Sequence, residues 1–105
     1  MTYSEKVYAM IKAHHLNLDH PAIVAVTEDC IKVGWGAGTS PENVGLFALA
    51  RMVAIWQTSA KEELHKQAEL LAGRMGDGLN SILLEELLRG AREQVNAELA
   101  EGEGS

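Results

Sequence analysis

The pattern of apolar and polar positions is densest in the middle of the chain, where it predicts a long buried helix. From Val44 to Trp56 only Gly45 and Arg51 are not apolar. A helix that is apolar on nearly every side is buried on nearly every side. Its start is marked as well, because Ser40 can cap the first turn and Pro41 suits the first helical position. The rest of the chain is therefore expected to surround this helix.

The first third of the chain predicts a helix followed by two strands. Thr2 with Glu5 three residues later forms a capping box, which predicts a helix from about Tyr3 to His15. From Ala22 to Val26 the chain is apolar and rich in β-branched residues, and from Cys30 to Trp35 apolar residues alternate with others. Such a two-residue period is typical of a half-buried strand. We expect a β-hairpin over residues 22–36.

Beyond Trp56 the pattern predicts exposed amphipathic helices. Ser59 to Glu62 forms a second capping box, so the central helix either continues through this point or breaks near Ser59. Asn80 or Ser81 can cap a C-terminal helix. The predicted fold class is α+β, in the order N-terminal helix, β-hairpin, long central helix and C-terminal helix. Residues 1–100 are expected to form a single domain, and residues 101–105 a disordered acidic tail.

Charge and cysteine content narrow the class of protein. The net charge is −6, and residues 79–105 carry six acidic and two basic side chains. This balance disfavours binding to nucleic acid or to an anionic membrane, since both require clustered Lys and Arg. The single cysteine, Cys30, excludes an internal disulfide, and no signal-peptide pattern is present. A cytoplasmic location is expected.

A glycine-rich segment between the predicted hairpin and the central helix is the candidate anion site. Its candidate residues are Gly34, Gly36, Gly38, Thr39 and Ser40. Backbone N–H groups can hold a phosphate at such a helix start. However, the dinucleotide fingerprint requires glycine where Thr39 stands, and no P-loop lysine follows. The alternative interpretation is a connector in which glycine supplies positive φ.

One helical segment carries side chains that could bind a metal ion. Glu62, His65 and Glu69 lie on one helix face, and Glu-x-x-His is the ligand unit of di-iron bundles. Such bundles use two of these units and two further glutamates, so a dimer would have to complete the site. The alternative is a solvated helix face. No cofactor is predicted, and no catalytic triad or nucleophile elbow is visible, so the sequence does not indicate an enzyme.

Two surfaces are candidate contact sites with other proteins. One hairpin and two narrow apolar stripes cannot cover the central helix, so Leu46, Leu49, Val53 and Trp56 are predicted to contact a second copy of the chain. The alternative is a monomer in which residues 61–74 fold back over these side chains. The acidic C-terminal helix carries the second surface, which is predicted to face a basic protein through Glu85, Glu86 and Glu93.

These observations favour a small, non-enzymatic, cytoplasmic homo-oligomer that acts by protein–protein contact. A hairpin followed by a Ser-Pro-Glu helix start and a long helix is an order that small phage and mobile-element proteins often show. An inhibitor or adaptor encoded by such an element is the concrete version of this hypothesis. The alternative function is a binding module for a small anionic ligand, such as a nucleotide, at residues 34–40.

Overall fold

The computed structural model describes residues 2–13, 21–76 and 80–104, and over these ranges the protein is all-helical. The helices are α1 (Tyr3–Lys12), α2 (Pro21–Ala37), α3 (Pro41–Thr58), α4 (Glu62–Gly76) and α5 (Ser81–Gly104). The predicted α+β class is therefore wrong, and so is the hairpin, since residues 22–36 lie within α2. The end of the first predicted helix, at residues 14 and 15, lies outside the described residues.

The segment predicted as a hairpin is a helix because its buried positions follow a helical period over its whole length. Ile23, Thr27 and Gly34 are buried and fall on one side of α2. In a strand, Val33 and Trp35 would share the face of Ile31, but here both are largely exposed. The Thr27 hydroxyl donates to the Ile23 carbonyl at 2.7 Å, a bond within the helix that satisfies a buried polar group. A single helix satisfies its own interior backbone groups, whereas an isolated hairpin is only marginally stable.

Three helix starts are confirmed by their capping bonds. The Thr2 side chain accepts a hydrogen bond from the Glu5 amide at 3.2 Å, and the Ser40 hydroxyl accepts one from the Asn43 amide at 3.4 Å. At the start of α5 the Asn80 side-chain oxygen accepts from the Ile82 amide at 2.9 Å. These bonds satisfy amides that have no partner within their own helix.

The predicted central helix ends at Thr58. Of the two alternatives, a helix that continues past Ser59 or one that breaks near it, the structure has the break. Ser59 organises this corner. Its hydroxyl accepts from the Lys61 amide at 3.2 Å, and its carbonyl lies 2.5 Å from Nε2 of His65. Because a carbonyl only accepts, Nε2 of His65 carries the proton in this contact. Farther along the chain, residues 101–104 belong to the last turn of α5, and Ser105 lies outside the described residues.

The chain divides into two compact units at residues 49 and 50, within α3. In the first unit α1 packs on α2, and in the second α4 packs on α5. Buried apolar residues of the first unit are Val7, Ile11, Ile23, Val44, Ala48 and Leu49; those of the second are Ala50, Met52, Val53, Ala54, Ala68, Leu71, Met75, Ala91 and Val95. The prediction that residues 44–56 form a largely buried helix is thus confirmed.

The first unit depends on two glycines that allow helices to approach closely. A Cβ atom at Gly34 of α2 would overlap the side chain of Val44 and lie 3.1 Å from the Tyr3 hydroxyl. A Cβ atom at Gly45 of α3 would lie 2.7 Å from Cγ of Met10. Both glycines are buried where a larger side chain has no room.

No helix in the described parts of the chain combines the length and the apolar character that a membrane span requires.

Candidate functional site

The glycine-rich segment proposed as an anion site is the C-terminal end of α2. Gly38 has a φ of 72° and stops the helix. Its amide donates to the Trp35 carbonyl at 3.2 Å, and the Thr39 amide donates to the Gly34 carbonyl at 2.9 Å. This pair of bonds is a Schellman motif, in which the two amides after a helix satisfy carbonyls of its last turn.

Other polar groups of this segment are also used within the chain. The Tyr3 hydroxyl donates to the Thr39 carbonyl at 2.5 Å, and the Ser40 hydroxyl caps α3. Gly34 is buried and Gly36 lies in the last turn of α2, so neither belongs to an open loop. The geometry therefore favours the connector interpretation. Anion binding at residues 34–40 stays a prediction that no structural observation favours.

An aromatic contact joins α1 to the end of α2. The rings of Tyr3 and Trp35 lie 5.0 Å apart between centroids, at an interplanar angle of 87°. This edge-to-face arrangement suits two aromatic rings because it places the positive edge of one against the negative face of the other. The contact leaves 67% of Trp35 exposed. A large aromatic side chain thus contacts Tyr3 while most of its surface faces solvent.

The candidate metal ligands Glu62, His65 and Glu69 are exposed on α4. His65 is engaged by the Ser59 carbonyl through Nε2. Across residues 2–13, 21–76 and 80–104 the structure brings together no group of three or more His, Cys, Asp or Glu side chains that could hold a metal ion. The structure thus offers the solvated-face interpretation more support than the metal site.

The predicted self-association residues differ in exposure. Leu49 and Val53 are fully buried, whereas Leu46 and Trp56 are half-buried. Only the latter two keep surface that a second copy could contact. Contact through these four residues stays a prediction, but its premise of an uncovered face does not hold for Leu49 and Val53.

Arg51, the one charged residue in the apolar run, pairs with a carboxylate that the sequence did not identify. Its Nη2 lies 2.6 Å from Oε2 of Glu98, and the two side chains are 24% and 55% exposed. The pair connects α3 to α5 within the second unit. A partly buried guanidinium needs such a partner, because an unpaired charge is costly to remove from water. Only the need for an acceptor was visible in the sequence; the 47-residue separation hid which residue supplies it.

The acidic surface of α5 is exposed but carries positive charge too. Glu85, Glu86 and Glu93 are all exposed, as expected of a partner-facing group. Arg89 follows Glu85 by four residues and precedes Glu93 by four, so it lies between them on the helix surface. The surface is therefore acidic on balance but not uniformly so, and the positive charge of Arg89 reduces its attraction for a basic partner.

Two large apolar side chains of α2 are exposed, one on each flank of the helix. Val33 is 74% exposed and Trp35 is 67% exposed. Other large exposed apolar residues among the described positions are Phe47, Leu70, Ile82, Leu83 and Leu99. A helical rather than a strand period for residues 22–36 would have placed Val33 and Trp35 each about 100° from the buried Gly34, on the two flanks of the helix. The hairpin assignment hid this exposure.

Comparisons with models of known protein families, with curated proteins and with solved structures gave no match to this chain.

Proposed function

We propose that the protein is a non-enzymatic, cytoplasmic homodimer that acts by protein–protein contact. The observation that supports this proposal is the exposure of two large apolar side chains on α2, Val33 at 74% and Trp35 at 67%. Aromatic residues are enriched at protein interfaces, and tryptophan is prominent among the residues that dominate binding energy. Here the ring of Trp35 is held by Tyr3, so little side-chain entropy remains to be lost on binding.

A two-fold dimer is the simplest assembly that would cover this surface. It is the commonest symmetry among soluble oligomers, and it buries the same patch on both copies. A basic protein that faces Glu85, Glu86 and Glu93 is a further partner within this proposal. The hypothesis of a phage or mobile-element protein depended on an order of elements that begins with a hairpin. It loses its basis, because the segment predicted as that hairpin is the helix α2.

Sedimentation equilibrium tests the proposal directly. We expect a mass of about twice 11.4 kDa at protein concentrations from about ten to a few hundred micromolar, the range in which small interfaces associate. A mass of 11.4 kDa over this whole range would overturn it. Circular dichroism on the same samples verifies that the protein is folded, so that aggregation of unfolded chains is not mistaken for a dimer.

A further inference from the structure

The exposed side of α2 carries residues at alternating separations of three and four. Ala25, Asp29, Lys32 and Gly36 are all exposed, and at 100° per residue they fall within an arc of about 60°. This spacing is that of the contact positions of a coiled coil, in which two helices meet along one seam. The buried residues Ile23, Thr27 and Gly34 occupy the other side of α2. The seam is therefore separate from the surface on which α2 packs within its own unit.

The seam is complementary to itself when two copies run antiparallel. With the two-fold axis between positions 30 and 31, Asp29 faces the partner copy's Lys32, and Lys32 faces the partner copy's Asp29. Among the described residues, neither Asp29 nor Lys32 has an ion-pair partner within its own chain. One turn outward, Ala25 meets the partner copy's Gly36. Small side chains at this layer let two helix backbones approach closely.

The same register also brings apolar side chains together on one flank of the seam. Val33 lies beside the seam on one side, where the antiparallel partner presents its Val26, and Trp35 lies on the other side. Burying Val33, which is 74% exposed, removes apolar surface from water and so stabilises the pair. Opposite charges in the centre and valine side chains on one flank together favour this direction and register of the two helices.

We propose that a second copy of this chain docks on α2, antiparallel, through Ala25, Asp29, Lys32 and Gly36. This inference rests on the proposed homodimer and names its contact surface. It differs from the surface predicted from the sequence, which lay on α3 at Leu46, Leu49, Val53 and Trp56. A contact of one helix pair is small for a protein interface, which corresponds to association in the micromolar range.

Charge exchange across the seam tests the inference. By symmetry, Asp29→Lys alone replaces both ion pairs with like-charge contacts, and so does Lys32→Asp. We expect each single variant to raise the dimer dissociation constant by about tenfold or more. The double variant Asp29→Lys/Lys32→Asp restores opposite charges and is expected to return the constant to near the wild-type value. Sedimentation equilibrium gives the constants, and circular dichroism verifies folding.

A matched control lies on α4, where Lys66 and Glu69 are also exposed, oppositely charged and three residues apart. Lys66→Glu and Glu69→Lys make the same change in net charge as the α2 variants and should leave the dissociation constant unchanged. Ala25→Arg adds an independent steric test and should give a monomer, with Ala97→Arg on the exposed side of α5 as its control.

The possible outcomes separate this inference from the proposed function. A dimer that is insensitive to the single charge reversals and to Ala25→Arg would overturn the α2 seam while leaving the homodimer intact. Single reversals that weaken association without rescue by the double variant would also overturn it, because the specific Asp29–Lys32 pairing would then be absent. A wild-type monomer throughout would overturn both proposals.

Discussion

At the scale of single residues, the helix junctions depend on positions where a side chain is either excluded or required. Gly34 lies where α2 passes close to Val44 and Tyr3, whereas Gly36, two residues later in the same helix, faces open space. A side chain is therefore excluded at Gly34 but has room at Gly36 of the same helix. The difference follows from tertiary contacts alone, because their intrinsic helix propensities are identical.

Substitution of these glycines by alanine provides a matched test. We expect Gly34→Ala to lower the free energy of unfolding by about 1–3 kcal/mol, because the added Cβ atom overlaps Val44. At protein concentrations below the dissociation constant of the proposed dimer, Gly36→Ala is expected to raise it by about 0.5–1 kcal/mol, since alanine is the better helix former and nothing in the same chain lies within 4 Å of its Cβ. Urea denaturation measures both values, and equal effects of the two variants would contradict the described packing.

The hydroxyl of Tyr3 ties α1 to the junction between α2 and α3. Tyr3→Phe removes its bond to the Thr39 carbonyl but keeps the ring against Trp35. We expect a loss of about 1 kcal/mol in the free energy of unfolding, the typical value for one hydrogen bond. Tyr8→Phe on the same helix is the control. Below pH 9 it should change stability by less than about 0.5 kcal/mol, since the Tyr8 hydroxyl makes no hydrogen bond to the residues that the structure describes.

Tyr8 also gives the protein a pH dependence in the alkaline range. Burial of its ring, and secondarily the Glu28 carboxylate, raise the pKa of the Tyr8 phenol above its ordinary value of 10.0. The unfolded chain therefore loses this proton at a lower pH than the folded one. The contribution to stability is complete below pH 10 and declines as the pH rises above it. Denaturation midpoints should fall less steeply with alkaline pH in Tyr8→Phe than in the wild type, and equal slopes would contradict this assignment.

At the scale of helices, the glutamates of α5 fall into two groups: one pairs with another helix, and the others face solvent. Glu98 pairs with Arg51 of α3, whereas Glu85, Glu86 and Glu93 are exposed and available to a partner. Charge neutralisation at the exposed group should leave the fold intact, whereas Glu98→Gln would also disturb a bond between helices. The variants that test a partner surface must therefore exclude Glu98.

A triple variant, Glu85→Gln with Glu86→Gln and Glu93→Gln, tests the acidic surface. With polylysine as the probe, we expect weaker binding than for the wild type, and a smaller decrease of that binding with added salt. The control variant changes Glu62, Glu63 and Glu69 on α4, which are also exposed. Equal losses in the two triple variants would mean that the attraction reflects net charge rather than a particular surface of α5.

At the scale of the whole molecule, self-association couples stability to concentration. A ligand that binds only the folded state raises its stability, and here the ligand is a second copy. Above the dissociation constant, a tenfold increase in protein concentration should add about 1.4 kcal/mol per mole of dimer. This corresponds to a rise of about 3–6 °C in the melting temperature. A melting temperature that stays constant from about 10 to about 300 µM would contradict the proposed dimer.

Much of the helix pattern was accessible from the sequence because it depends on local chemistry. Caps such as Thr2, Ser40 and Asn80 act within one helical turn, so their roles could be assigned without tertiary information. The buried character of residues 44–56 followed from composition, since so apolar a helix is stable in water only when covered. The break at Ser59 was one of two alternatives because a capping box can occur inside a continuous helix as well as at its start.

The class of residues 22–36 was decided by tertiary structure. Alternation over Ile31, Val33 and Trp35 matches a strand, but the buried residues Ile23, Thr27 and Gly34 share one side of the segment only in a helix, and Gly34 allows the close approach of Val44. Tertiary structure likewise chose Glu98 as the partner of Arg51, 47 residues away in the chain. Local periodicity reports what a segment can form alone, whereas packing selects the form whose buried face has a complementary surface elsewhere in the chain.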